Sequence, residues 1–412
     1  MINEANNENK NNGGSASEDG RMSYVFKLGY SYDNRYLFDF VGRIDGSAKF
    51  YKDNRWGFFP GISAAWRISE EPFFKEKFTN VDNLKLRLGW GLVGNQAAEN
   101  YAYGVKMRTV ATIWGSGYYA ENYGNENLKW EETEAWNAGL DINLFGNRVE
   151  LIIDGYYKNT DNLLMKASLP SYVNGVISSP WVNAGAMTNK GLEFTLNTVN
   201  INKNDFMWRS GLTISFNRNE ITKLYTETAG LSGTINSETY TYSEVGQPIG
   251  QFYGYNVIGM FTKEDDFYKR DSYGNYILDK NGERVKVAIP KGKNISESEI
   301  WVGDYIYEDI DDNGVIDEKD RTYLGNPEPK FSYGFNNSFS YKGFDLNIVL
   351  YGTLGGMLKN AVRVNHQSYR NNSVKFDYWT PNNPTNAYPR PNRLYDNIEY
   401  ESSLYYEKSD FL

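Results

Sequence analysis

Leu84-Lys85-Leu86-Arg87-Leu88-Gly89-Trp90-Gly91-Leu92 decides the fold class of this chain. Its apolar side chains fall on every second residue, with Lys, Arg and Gly between them. Successive side chains of a strand point to opposite faces, so this stretch has one apolar face and one polar face. The same alternation recurs on either side. Tyr24, Phe26, Leu28, Tyr30 and Tyr32 share a face opposite Lys27, Gly29 and Ser31. Tyr36, Phe38, Phe40 and Ile44 alternate with Arg35, Asp39, Arg43 and Asp45, and Trp136, Ala138, Leu140, Ile142 and Leu144 with Asn137, Gly139, Asp141 and Asn143. Further runs are Leu192/Phe194/Leu196, Trp208/Leu212/Ile214/Phe216, Phe331/Tyr333/Phe335/Phe339 and Phe344/Leu346/Ile348/Leu350.

These runs are roughly 9 to 11 residues long, the length at which a tilted strand crosses the apolar core of a bilayer. Strands of soluble proteins average about 5 or 6 residues. The polar faces suit a wet lumen, and aromatics near the ends of the apolar faces resemble the interfacial girdles of membrane barrels. The connections alternate in length as well. Asp33-Asn34, Phe145-Gly146-Asn147, Asn200 to Asp205 and Tyr341-Lys342 are short, and 69–82 is moderate. Between them lie longer stretches at 94–132, 159–190, 218–330 and after about 352. Tight turns at one rim and long loops at the other are what an up-and-down transmembrane barrel produces.

Composition agrees with strands and turns: the 412 residues include 34 Tyr, 22 Phe, 10 Trp and 39 Gly. Lys and Arg are scattered under a net charge of −9, so no basic patch points to nucleic acid. With no cysteine there is no disulfide framework, thiolate nucleophile or Cys-based metal site. A Ser-His-Asp triad would need the single histidine, His366, which stands in the polar stretch Asn365-His366-Gln367. No P-loop, Rossmann glycine pattern or HExxH is present. Pairs such as Glu131/Glu132 and Asp265/Asp266 are poor glycosidase candidates, because adjacent residues on a strand face opposite ways.

Several stretches together resemble the SusC/RagA-type TonB-dependent outer-membrane transporters of Bacteroidota. They include Asn127-Leu128-Lys129-Trp130-Glu131, Asn137-Ala138-Gly139-Leu140-Asp141, Gly155-Tyr156-Tyr157-Lys158-Asn159 and Asn189-Lys190-Gly191-Leu192-Glu193. Gly246-Gln247-Pro248-Ile249-Gly250-Gln251, Gly325-Asn326-Pro327, Tyr378-Trp379-Thr380-Pro381 and Tyr388-Pro389-Arg390-Pro391 continue the match. The resemblance implies a barrel of about 22 strands closed by an N-terminal plug. It further implies drive from the TonB complex, a SusD-like lipoprotein lid, and an oligosaccharide or peptide as substrate.

The expected fold is therefore an all-β, antiparallel transmembrane barrel, of which this chain is about half. Residues 1–20 are expected to be a disordered polar N-terminal segment, a loop of the barrel, and 21–412 a barrel domain truncated at both ends. Met1 to Arg21 has no apolar stretch of the signal-peptide kind, and the expectation is that the front of the protein is missing. Half a barrel would leave unpaired strand edges and would transport nothing alone. The alternative is a secreted all-β protein that binds or degrades carbohydrate.

Within the long 218–330 region, Asp309-Ile310-Asp311-Asp312-Asn313-Gly314-Val315-Ile316-Asp317-Glu318-Lys319-Asp320 follows the calcium-loop template. Asp309, Asp311, Asn313, Asp317 and Asp320 offer side-chain oxygens, Val315 a backbone carbonyl, and Gly314 the sharp turn. Asp320 replaces the usual bidentate Glu, and no amphipathic helices flank the loop, so Ca2+ would stiffen it and catalyse nothing. An acidic, solvated turn is the other reading. Asp271 to Arg284 reads as a hairpin turn. Trp114, Tyr118, Tyr119, Tyr172, Trp181, Tyr253 and Tyr255 are candidates for contact with sugar rings or a lid protein; girdle and loop-packing roles are equally open.

Overall fold

A computed structural model describes residues 18–167, 177–225, 230–235, 238–362, 377–385, 388–390 and 401–411. The chain divides into two compact units, 1–229 with 334–349, and 230–333 with 350–412. His366 and Tyr172 lie outside the described residues.

The first unit is built on a ten-stranded sheet in which neighbours in sequence are neighbours in space. Its strands are β1 (Arg21–Tyr32), β2 (Tyr36–Ser47), β3 (Trp56–Arg67), β4 (Val81–Asn95), β5 (Glu131–Leu144), β6 (Val149–Asp161), β7 (Gly185–Lys203), β8 (Phe206–Leu224), β9 (Phe331–Tyr341) and β10 (Phe344–Leu354). Each alternating run singled out in the sequence is one of these strands. β7 and β8, at 19 residues each, run well past the apolar stretches that reveal them. Among the described residues no helix is long and apolar enough to cross a membrane, which says nothing of crossing by strands.

Register turns the alternation into continuous faces. One row reads Tyr30–Phe38–Ala64–Leu88–Ala138–Gly155–Leu192–Phe216 across eight strands. On this face Phe26, Leu28, Tyr30, Leu88 and Leu346 are exposed, the reverse of a water-soluble protein. Aromatics bracket the apolar band. Tyr24 stacks on Trp56 at 6.2 Å near one rim, and Tyr32 on Tyr36 at 6.4 Å near the other. Tyr24 and Tyr32 are roughly 27 Å apart along the strand. At a tilt of about 40° that is about 20 Å of membrane depth.

The short connections need unusual backbone. Asp33 and Asn34 sit at φ 51° and 56°, and Lys342 and Gly343 at φ 47° and 85°. Paired positive φ values match the twist of a tight hairpin, and Asp, Asn and Gly tolerate them best.

The second unit is not the irregular loop its sequence suggests. A four-stranded sheet pairs Leu231–Ile235, Glu238–Ser243, Gln251–Tyr255 and Arg321–Gly325 in that order. Beside it, one apolar cluster gathers Tyr255, Met260, Tyr305, Tyr307 and Ile316, and another Phe261, Phe267 and Val302. Segment 268–286 is a ladder of turns with bridges Tyr268↔Lys286, Arg270↔Tyr276 and Leu278↔Arg284, which contains the hairpin expected at Asp271 to Arg284.

Candidate functional site

On the polar face of the sheet, opposite charges meet across strands. Arg87 of β4 donates from Nε and Nη2 to Asp141 of β5 at 2.9 and 2.7 Å, and its Nη2 also reaches Asp154 of β6 at 2.9 Å. Lys85 stands 3.7 Å from Asp141. Register explains how one side chain spans three strands. Arg87 is paired with Gly139, and a Cβ there would come within 2.6 Å of the guanidinium carbon. The glycine lets the arginine lie flat across its own neighbour and reach the next strand. Polar contacts continue along the face, with Asn197 donating to Glu150 at 2.8 Å and the Tyr156 hydroxyl to Asn217 at 2.8 Å. Charges in such number need water or one another, so this side is the wet one. A depression of about 390 Å³ lies on it between Asp39, Ser63, Lys85, Arg87, Gly89 and Asn137.

The apolar face also carries a hollow, of about 630 Å³, where Ala138 and Gly155 leave a gap between Leu88, Trp136, Tyr157, Leu192 and Phe216. Its walls belong to the exposed apolar belt, a lining that suits lipid chains and not a polar substrate.

Loops of the first unit fold into a small core. Phe50, Phe59, Ala98, Ala102, Leu128 and Trp130 are buried together, with Leu92, Leu164 and Trp181 packed against them. Phe59 lies on the polar side of β3, and its ring occupies the space that side chains at Gly57 and Gly94 would need. Trp130 meets Phe50 and Phe59 at 5.3 Å each and donates to the Arg55 carbonyl at 3.2 Å. Asn183 clamps the neighbouring loop, accepting from the Lys129 amide at 2.9 Å and donating to the Lys129 carbonyl at 2.8 Å. The Asn127 to Glu131 stretch thus acts here as a loop anchor. Glu99 adds an ion pair with Lys166 at 2.7 Å, and that ammonium holds its carboxyl below the usual range.

The aromatic candidates separate. Trp114 is 90% exposed at the tip of the hairpin Met107–Thr112/Gly115–Ala120, and Tyr118 is exposed on the same hairpin while Tyr119 is half-buried. Trp181 packs on the loop core, with Lys166 Nζ 5.6 Å above its ring. Tyr253 stacks on Tyr242 at 4.9 Å and meets Tyr323 at 5.5 Å. Tyr255, only 3% exposed, belongs to a core, and its hydroxyl accepts from Arg321 Nε at 3.2 Å. The carboxylates set aside as catalysts are engaged locally: Glu131 accepts from Asn95 and the Leu164 amide, and Asp266 from Thr262 and the Lys263 amide.

In the calcium-type loop, oxygens of Asp309, Asp311 and Asp320 lie within 4.8 Å of one another. Asp320 is fully buried and accepts from the Ile310 and Asp317 amides at 2.8 Å. Gly314 takes φ 84°, as the turn requires. The Asn313 and Asp317 side chains accept from the Val315 and Lys319 amides. Lys269 stands 2.7 Å from Asp312 and 3.5 Å from Asp309, and Asp312 first of all raises its pKa. No sequence pattern pointed to Lys269, which is 40 residues upstream of the loop's first aspartate by their numbers, 309 − 269. The Arg87 network was visible only as alternating charge; its cross-strand partners follow from register.

A sheet with an apolar, aromatic-bordered outside and an ion-paired inside defines the wall of a membrane-spanning β-barrel. The chain belongs to the TonB-dependent receptor-like β-barrel family, whose description residues 3–284 match, and it is an outer-membrane protein of the SusC/RagA type. It is 32% identical to TonB-dependent receptor P3 of Formosa agariphila over 90% of this chain and 35% of the relative. It is 35% identical to TonB-dependent receptor SusC of Bacteroides thetaiotaomicron over 82% of this chain and 32% of the relative. The chain therefore spans about a third of these curated relatives. In fold it is similar to the RagAB peptide importer in its closed-closed state, with TM-score 0.72, 22% identity, and coverage of 96% of this chain and 40% of that one. The secreted all-β alternative is set aside by the family match.

Proposed function

We propose that this chain supplies wall and extracellular loops to a transporter that imports an oligosaccharide or a peptide across the outer membrane. Uptake draws energy from the TonB complex, and a SusD-like lipoprotein covers the mouth. The observation that carries the reading is the two-faced sheet: apolar belt outward, Arg87–Asp141–Asp154 network inward. Likeness in fold to the RagAB peptide importer supports the peptide class, and the oligosaccharide class is what the family resemblance implies. The test is uptake of fluorescent oligosaccharides and peptides by cells with and without the gene, with and without an uncoupler. Loss of one substrate class on deletion, and on uncoupling, is expected; uptake indifferent to both would overturn the reading.

The same proposal includes a structural Ca2+ held by Asp309, Asp311 and Asp320, with Asn313, Asp317 and the Val315 carbonyl completing the loop set. Three carboxylates brought together in a folded unit are a hard-oxygen donor set of the kind Ca2+ takes. Terbium luminescence with calcium competition tests it, and a signal unchanged by Asp311→Ala together with Asp320→Ala would sink it.

A further inference from the structure

The connection between β3 and β4 is the longest of the turn-side connections, and it carries features a turn does not need. It opens with a 3-10 turn at Ile68–Glu70 and continues with a short helix at Pro72–Lys75. Phe73 and Phe78 are 56% and 51% exposed. Phe74 packs on Phe78 at 4.7 Å. Lys77 is exposed, with no ion pair among the described residues. Water-exposed phenylalanines at a turn have no local purpose; charged or small residues would close it equally well.

The side on which this segment sits follows from Glu71. Its buried carboxylate accepts from the Tyr36 hydroxyl at 2.6 Å, Trp66 Nε1 at 3.0 Å and Arg35 at 3.2 Å. Tyr36 and Trp66 are paired in register, and both belong to the apolar face, in the same alternating sets as Phe38 and Ala64. Through Tyr36 and Trp66, Glu71 ties the start of the segment to the lipid-side girdle, while Arg35 holds it from the turn. Glu70 holds the next part, with Lys75 at 2.6 Å and Arg67 at 3.7 Å.

We infer that residues 72–79 form an interfacial anchor, with Phe73 and Phe78 inserted into the phospholipid of the periplasmic leaflet and Lys77 at the phosphate level. The occupant is set by continuity: the segment extends the apolar wall at the rim of the tight turns, which is the periplasmic rim in barrels of this kind. Aromatics with neighbouring lysines favour this boundary, where rings sit about 5–10 Å into the headgroup and acyl border and an ammonium reaches the phosphates. Such a segment fixes the depth of the β3–β4 rim in the membrane. The inference rests on the membrane-wall reading.

The test labels Phe73→Cys and Phe78→Cys, separately, with an environment-sensitive fluorophore in the intact transporter, in a cysteine-free background; this chain itself contributes no cysteine. The transporter is reconstituted in nanodiscs of phosphatidylethanolamine and phosphatidylglycerol. Expected are blue-shifted emission, strong quenching by a nitroxide near the lipid headgroup, weaker quenching by one deep in the chain, and little by iodide. Water-like emission with iodide quenching would overturn the anchor. So would blue-shifted emission insensitive to every lipid nitroxide, since protein would then cover the rings. A label at Leu346→Cys on the apolar wall separates the two levels: if it too is water-like, the membrane-wall reading itself fails.

Discussion

The two units use aromatic and aliphatic side chains in opposite ways. In the sheet, Phe26, Leu28, Tyr30 and Leu346 point away from the protein, and the charged Arg87 and Asp141 turn inward. In the second unit Phe261, Ile316 and Tyr405 are enclosed, while Tyr273 and Asp312 face water. The same residue types thus obey whichever solvent surrounds them: hydrocarbon draws them outward in one unit, water drives them inward in the other.

The strongest way to break this comparison is a matched truncation. Phe261→Ala removes a ring packed on Phe267 at 4.5 Å and is expected to cost about 3–5 kcal/mol of the second unit's stability. Phe26→Ala on the wall leaves no protein cavity, because lipid closes over the site, and should cost only the lost transfer from water to hydrocarbon, about 1.5–3 kcal/mol. Urea unfolding followed by hydrogen exchange checks both, and equal costs would mean that Phe26 packs against protein. A charge sharpens the contrast. Leu88, 54% exposed in the middle of the apolar row, should lose about 2–4 kcal/mol as Leu88→Arg, whereas Tyr273→Arg should stay within about 0.5 kcal/mol; refolding into vesicles measures the first.

The alternating strands were legible because the period of two and the aromatic borders survive in every run. What escaped the sequence was the order in the second unit. Its core residues, such as Tyr255, Phe261, Tyr305, Ile316 and Tyr405, are spread over 150 positions, 405 − 255, without a common period. Tyr255, Tyr305 and Ile316 sit on strands of two to five residues, Gln251–Tyr255, Tyr305–Tyr307 and Val315–Ile316, whereas Tyr405 ends a 3-10 turn and Phe261 lies in a loop. Local pattern cannot encode pairing at that separation. For the same reason Tyr255 looked like Tyr253, and only packing tells that one is core and the other part of a tyrosine stack. Stretches that carried only the family resemblance in the sequence also gained a structural meaning. Trp379 and Arg390 turn out to hold the unit together, Trp379 filling the space beside Gly303 and Arg390 bonding Asp304 at 3.0 Å.

Smaller effects refine the inward face and the loops. Arg87→Met leaves Asp141 and Asp154 without their shared partner and should cost about 1–3 kcal/mol; restoring much of that with Asp154→Asn in a thermal-melt comparison would confirm the coupling. Lys269→Met removes a positive charge beside Asp309 and, on the proposed Ca2+ site, should tighten the ion by about three- to tenfold, read by calorimetry. Glu99 gives the mildest signal. Its pKa is lowered, chiefly by Lys166, so its contribution is full above the ordinary carboxylate range and is lost as pH falls through the depressed value. Hydrogen exchange at 96–106 should rise over that acidic interval in the native chain and stay flat in Glu99→Gln.

The tight turns at Asp33-Asn34, Phe145 to Asn147 and Lys342-Gly343 spend nearly all their residues in left-handed backbone. Inserting even one residue there would shift a strand's register and swap its oily and wet sides. Length at these three turns is therefore fixed, while the β3–β4 connection at the same rim and the long loops opposite carry no such restriction. On the proposed function, novelty in what the cell recognises, and exposure to whatever attacks it from outside, fall together on the long loops.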